Sequence, residues 1–253
     1  MNTNGKSTEK QGVLVKTSLV DYPGLVSCAF FLKNCNLRCP YCYNRGLIFG
    51  ENENEEENYS SLDELFSHLE KRKNVIKGFV LSGGEPLLNP KTPEILSFAK
   101  KTGYKVKLDT NGTLPEKLKT ILENPETSPD YIACDIKTNP DKYFEKLLPH
   151  KNSFSLQESE NLASKIRKTI GLLSSLPTEK YEFRTVLVPT LIDENDIKIL
   201  STLLPSKSKW FFAHFQNHNC LNPSYNEKLP FSREEEEFLL TLAKKKIKGA
   251  EIR

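Results

Sequence analysis

Six times along this chain of 253 residues a short, mostly apolar run is followed by a stretch with helical spacing. The runs are "LVSCAFFLK" (Leu25–Lys33), "GFVLSGG" (Gly78–Gly84), "KVKLDTNG" (Lys105–Gly112), "YIACDIK" (Tyr131–Lys137), "KYEFRTVLVP" (Lys180–Pro189) and "KWFFAHFQ" (Lys209–Gln216). Strand–helix alternation of this kind predicts a parallel sheet with right-handed crossovers. Runs that are apolar throughout predict strands covered on both faces. Helix ends are marked as well. Ser61 with Glu64 three residues on reads as a capping box, and Pro93 and Gly103 bracket "TPEILSFAKKTG". Six α/β units fit an open doubly wound sheet or a partial barrel.

Both architectures put ligand chemistry at the carboxyl ends of the strands. Polar clusters fall at those ends here: the cysteine loop after the first run, then "SGGEP", "DTNG", "CDIK", Arg184 and "AHFQNH". The charged fraction is 27%, nearly balanced at a formal +3. Nothing in it reads as a nucleic-acid arm. No apolar run is long enough for a membrane span, and the polar start "MNTNGKSTEKQG" lacks the core of a signal peptide, so a cytoplasmic protein is expected. Residues 1–15 read as a flexible N-terminus and "ENENEEEN" (Glu51–Asn58) as a solvated acidic loop.

The loop after the first run is "CNLRCPYCYN", with Cys35, Cys39 and Cys42 spaced C-x3-C-x2-C. Three thiolates can hold three irons of a cubane cluster and leave the fourth open to a small molecule. Tyr41 and Tyr43 are placed to shield such a cluster. A zinc site and a thioredoxin-type dithiol are the alternatives. The first has no second Cys/His pair at finger spacing, and the second leaves Cys35 surplus. Cys28 and Cys134 read as small buried apolar residues, and Cys220 has no ligand spacing.

"CNLRCPYC" resembles the signature of the radical S-adenosylmethionine (SAM) superfamily, and "SGGEPLL" (Ser82–Leu88) resembles that family's glycine-rich segment. The resemblance implies a partial (β/α)6 TIM-like barrel, here a single α/β domain over residues 16–253. It implies a [4Fe–4S] cluster on Cys35, Cys39 and Cys42 whose fourth iron is chelated by SAM. Reductive cleavage of SAM would give methionine and a 5′-deoxyadenosyl radical. Gly83, Gly84 and Glu85 would hold the SAM amino group, and Pro86 would stiffen the turn.

"KTSLVDYPGLVSCAFFLKNCNLRCPYCYN", "DTNG", "DIK", "FRTVLVP" and "WFFAHFQNHNCLNP" narrow the likeness to the glycyl-radical activating enzymes. The long form that serves anaerobic ribonucleoside-triphosphate reductase is the nearest in pattern. The partner implied is the large subunit of that reductase, with a flavodoxin or ferredoxin as electron donor. Asp109 and Lys137 are then the candidate catalytic residues. Asn44, Asp109, Lys137, Arg184 and His214 would contact SAM, and Asp21 in "DYPG" would contact the glycyl-bearing loop of the partner. Asp109, Thr110 and Asp135 would bind a monovalent cation, as in pyruvate formate-lyase activation. Two departures stand out. His214 falls where the family carries Gln and Gln216 where it carries Arg, which leaves His214 and His218 as alternatives for one role. A radical SAM enzyme acting on a small molecule, such as a deazapurine precursor, would share every SAM residue. A non-catalytic zinc or dithiol module would share none.

Overall fold

The computed structural model describes residues 9–49, 59–148 and 156–253. The acidic stretch Glu51–Asn58 lies outside the described residues. The described residues group into two compact units: those within 1–36, 45–109 and 120–130 in one, and those within 37–44, 110–119 and 131–253 in the other.

In the first unit the strands run in the order β3 (Tyr59–Ser61), β1 (Lys10–Ser18), β2 (Ser27–Leu32), β4 (Gly78–Gly83), β5 (Lys105–Thr110). β2, β4 and β5 are parallel, while β1 is antiparallel to both β2 and β3. β1 begins at Lys10, inside the stretch read from sequence as flexible. Its backbone pairs with β2 from Gly12↔Leu32 to Ser18↔Ser27. A hairpin-type connection carries no helix, so the strand–helix pattern does not register it. The parallel strands behave as their composition requires: Cys28, Ala29, Phe30, Phe79, Val80 and Leu81 are all fully buried. Helix α2 (Leu62–Arg72), which follows the short helix α1 (Arg45–Phe49), starts at the expected capping box of Ser61 and Glu64. Helix α3 (Thr92–Lys101) follows β4, and Phe66 of α2 stacks on Phe98 of α3 with ring centroids 4.2 Å apart.

The second unit holds β6 (Tyr131–Asp135), β7 (Tyr181–Leu187), β8 (Lys209–His214) and β9 (Gly249–Ile252), all parallel in that order. Between them run α5 (Tyr143–Leu147), α6 (Leu156–Ser174), α7 (Glu194–Leu203) and α8 (Arg233–Lys244). Helix α4 (Pro115–Glu123) precedes β6. α7 and α8 each open with a capping box, on Asp193 and Ser232. One face of the sheet packs Phe183, Thr185, Trp210 and Phe212, with the Trp210 indole N–H donating to Thr185 Oγ1 at 2.9 Å. Because Asp135 pairs with Arg184 and Arg184 with Phe211, those three side chains share the opposite face. β9 was not expected, because "GAEI" is too short and polar to stand out. Among the described residues no helix is long and apolar enough to cross a membrane.

Candidate active site

In the first unit the end of β4 lies directly on the start of the cysteine loop. Gly84 N–H donates to Leu32 O at 2.9 Å, and Glu85 N–H donates to Asn34 O at 2.8 Å. Asn34 itself turns the chain with φ 71°, a left-handed conformation that asparagine tolerates. The glycines are required by space. Gly83 has φ +124°, and a Cβ on it would fall 2.3 Å from Leu32 N and O. A Cβ on Gly84 would fall 2.0 Å from Asn34 O and 3.2 Å from Cys35 Cβ. Glu85 is fully buried, and its Oε1 accepts from Leu87 N–H at 3.1 Å. The structure therefore brings Cys35 against the Gly-Gly-Glu segment and fixes the Glu85 carboxylate by its own following turn.

The remainder of the cysteine loop belongs to the second unit and is held by backbone on two sides. Arg38 N–H donates to Leu147 O at 2.8 Å. Leu221 N–H donates to Cys42 O at 2.8 Å, and Asn222 N–H to Pro40 O at 2.9 Å. A turn closes within the loop, from Cys42 N–H to Cys39 O at 3.0 Å. Cys39 and Tyr41 are buried, Cys42 is half-buried, and all six cysteines are free thiols. Burial pushes the Cys42 thiol up, opposed by the Asn44 backbone N–H and by Lys137. That is the contact the structure gives Asn44. Among the described residues no three His, Cys, Asp or Glu side chains are grouped closely enough to hold a metal ion.

Asp135, Lys137 and Arg184 do come together. Arg184 Nε–H donates to Asp135 Oδ1 at 2.7 Å, and Lys137 Nζ to Asp135 Oδ2 at 3.2 Å. Burial alone would raise the Asp135 carboxyl, but Arg184 and Lys137 outweigh it and hold it at about 2. Tyr143 Oη accepts from Lys137 N–H at 2.8 Å. Tyr41 lies within electrostatic reach of Lys137, Cys39 and Asp135. It is 7% exposed, and its hydroxyl has no hydrogen-bond partner among the described residues. A buried polar group left unpaired is costly and marks a place where a ligand atom would be satisfied. The donor chemistry agrees with that sign. Three cysteines outside any disulfide on one loop suit iron, and a lysine with a buried phenol beside it suits a polar, carboxylate-bearing ligand.

Asp109, at the end of β5, is held within its own unit by Ser82 and Lys107. Ser82 Oγ donates to Oδ2 at 3.1 Å, and Lys107 Nζ to Oδ1 at 2.6 Å. The Lys107 side chain is 3% exposed. Sequence reading passed over Lys107 and Ser82. The signal for Lys107 is its place two residues before Asp109 on a strand, which puts both on one face. The next residues follow turn chemistry. Thr110 Oγ1 accepts from Gly112 N–H at 3.2 Å, and Asn111 Oδ1 accepts from Thr113 N–H and Oγ1.

Two expected site residues stand apart. His214 is three positions beyond Phe211 on β8 and so faces the other side of the sheet from Arg184 and Asp135. Its Nδ1 lies 2.8 Å from Glu236 Oε1 of α8. Asp21 lies in the turn between β1 and β2, with its N–H donating to Ser18 Oγ at 3.2 Å. The cysteine loop leaves the opposite end of β2, a strand of six residues and hence about 20 Å long.

The model of the radical SAM superfamily matches residues 30–199. A protein of Methanocaldococcus jannaschii named for glycyl-radical enzyme activation is 32% identical over 244 residues, covering 95% of this chain and 94% of its own. The 7-carboxy-7-deazaguanine synthase of Aquifex aeolicus is 28% identical over 212 residues, 74% of this chain and 89% of its own. Among solved structures, Streptococcus suis SuiB bound to S-adenosylmethionine superposes with a TM-score of 0.56 at 15% identity, over 87% of this chain and 47% of SuiB. That likeness speaks to the fold alone, the α/β partial-barrel class expected from the six repeats.

Proposed function

The chain belongs to the radical SAM superfamily, and from that premise we propose that it is a glycyl-radical activating enzyme. The observation that carries the reading is the likeness, spanning nearly both chains, to a relative named for that activity. The family implies a [4Fe–4S] cluster and SAM. Cys35, Cys39 and Cys42 would hold the cluster. Gly83, Gly84 and Glu85 would receive the amino group of SAM, with Asn44, Lys137 and Arg184 toward its remaining polar groups. When bound, the cluster supplies one electron and SAM the adenosyl carbon that takes a hydrogen atom.

This chain's own residues do the positioning. Leu221 and Asn222 clamp the cysteine loop, Glu85 is held by its turn, and Asp135 keeps Lys137 and Arg184 in place. Burial of Cys39, Tyr41 and Tyr143 keeps water from that side. The partner in this reading is a glycyl-radical enzyme, the large subunit of an anaerobic ribonucleotide reductase, with a flavodoxin or ferredoxin as electron donor. Asp21 would meet the partner by its outer surface, on the turn before β2.

The synthase relative supports a second reading, in which the substrate is a small purine-like molecule. The test is electron paramagnetic resonance of the reduced, reconstituted enzyme with SAM and a candidate reductase subunit. A glycyl doublet on the partner supports activation. SAM turnover driven by a deazapurine precursor, with no doublet, supports the second reading.

A further inference from the structure

The sequence reading puts a monovalent cation on Asp109, Thr110 and Asp135, and the side chains around these carboxylates do not fit one. In the first unit, Asp109 gives Oδ1 to the Lys107 ammonium at 2.6 Å and Oδ2 to Ser82 at 3.1 Å. In the second unit, Asp135 gives Oδ1 to the Arg184 guanidinium at 2.7 Å and Oδ2 to the Lys137 ammonium at 3.2 Å. Each carboxylate thus already faces at least one fixed positive charge within its own unit. A free cation at either would lie beside a like charge in a place that water screens poorly. The geometry at Asp109 is the tighter of the two. Lys107 is 3% exposed and Asp109 14%, so the pair is nearly out of water. A lysine buried to that degree is rare unless paired. Its position two residues before Asp109 on one strand holds the ammonium at that carboxylate without the entropy cost of capturing an ion from solution.

We propose that Lys107 is a tethered cation, its ammonium standing beside Asp109 in place of a free monovalent ion, so that this enzyme binds SAM without a monovalent-cation requirement. Lys107 is here a positioning residue: it fixes and neutralises Asp109. The inference rests on the reading of the site as SAM-binding. Its test therefore has one arm that uses SAM and one that does not.

In the first arm, the reconstituted enzyme is titrated with SAM in potassium chloride and in tetramethylammonium chloride at equal ionic strength. Wild type should show affinities equal within about two-fold, while Lys107→Met should bind more weakly without potassium and recover about ten-fold with it. Lys107→Arg, which keeps the charge, should behave as wild type. In the second arm, thallium(I) NMR line broadening is followed without SAM. Wild type should give no saturable broadening. A saturable thallium or potassium response of wild type would overturn the proposal, whatever the variants do. So would Lys107→Met binding SAM as tightly as wild type in potassium-free buffer. Absence of SAM binding by every protein would instead overturn the reading of the site, and the thallium arm would still decide the cation question.

Discussion

Arg184 Nε–H donates to Asp135 Oδ1 at 2.7 Å, across one rung of the parallel ladder between β6 and β7. The register makes this pair: Asp135 is opposite Arg184, so both side chains leave the same face at the same height. Lys137, two residues beyond Asp135, joins them on that face. One carboxylate thereby orders two cations on one face of the sheet.

The pair sets an acid limit. Arg184 and Lys137 hold the Asp135 carboxyl at about 2 against the opposing effect of burial. A depressed carboxyl contributes stability that is complete above its unfolded value near 4, and loses it as pH falls toward about 2. Arg184→Ala removes the larger lowering influence and leaves burial to push the carboxyl up. Acid unfolding followed by circular dichroism should then begin about one pH unit higher than in wild type. Superimposable titrations would count against the pair.

The glycines at the end of β4 are fixed by contact with the cysteine loop. Gly84→Ala places a methyl 2.0 Å from Asn34 O, and Gly83→Ala one 2.3 Å from Leu32 N and O in a backbone conformation that alanine avoids. Each should cost about 1–3 kcal/mol in denaturant unfolding, with less iron retained after reconstitution. A variant of unchanged stability and iron content would show that β4 is not seated on the loop.

His214 is expected to be structural. His214→Ala should leave SAM affinity as in wild type and cost about 1–3 kcal/mol of stability, because Glu236 is 3% exposed and loses its partner. A large fall in SAM affinity with unchanged stability would return His214 to the site.

The cysteines should divide by position. Iron analysis after anaerobic reconstitution should give about four irons per chain in wild type. Cys35→Ala, Cys39→Ala and Cys42→Ala should lose them, whereas Cys28→Ala and Cys134→Ala, inside strands, should keep them. A colourless zinc protein would contradict the account.

Much of this was readable from sequence where local chemistry and global pattern agree. The six strands and the capping box at Ser61 appear where apolar runs and polar caps mark them. The cysteine spacing and the Gly-Gly-Glu segment are local in sequence, so their position at strand ends was legible. What escaped depends on distant register. Lys107 looks like one more charge on a lysine-rich strand until the fold buries it against Asp109, and Glu236 looks like one acid among four until it meets His214. β1 and β3 escaped because antiparallel pairing needs no helix between strands. The face His214 takes was not legible because it follows from parity with Arg184 and Phe211, which requires the register.

The most direct measurement is isotope transfer. The partner reductase subunit is labelled with deuterium at the α-carbon of glycine and mixed anaerobically with reduced enzyme and SAM. The 5′-deoxyadenosine formed is then examined by mass spectrometry. The account expects one deuterium in that product, accompanied by a collapsed glycyl splitting on the unlabelled control's scale. Unlabelled 5′-deoxyadenosine, formed at the same rate with or without the partner, would contradict it.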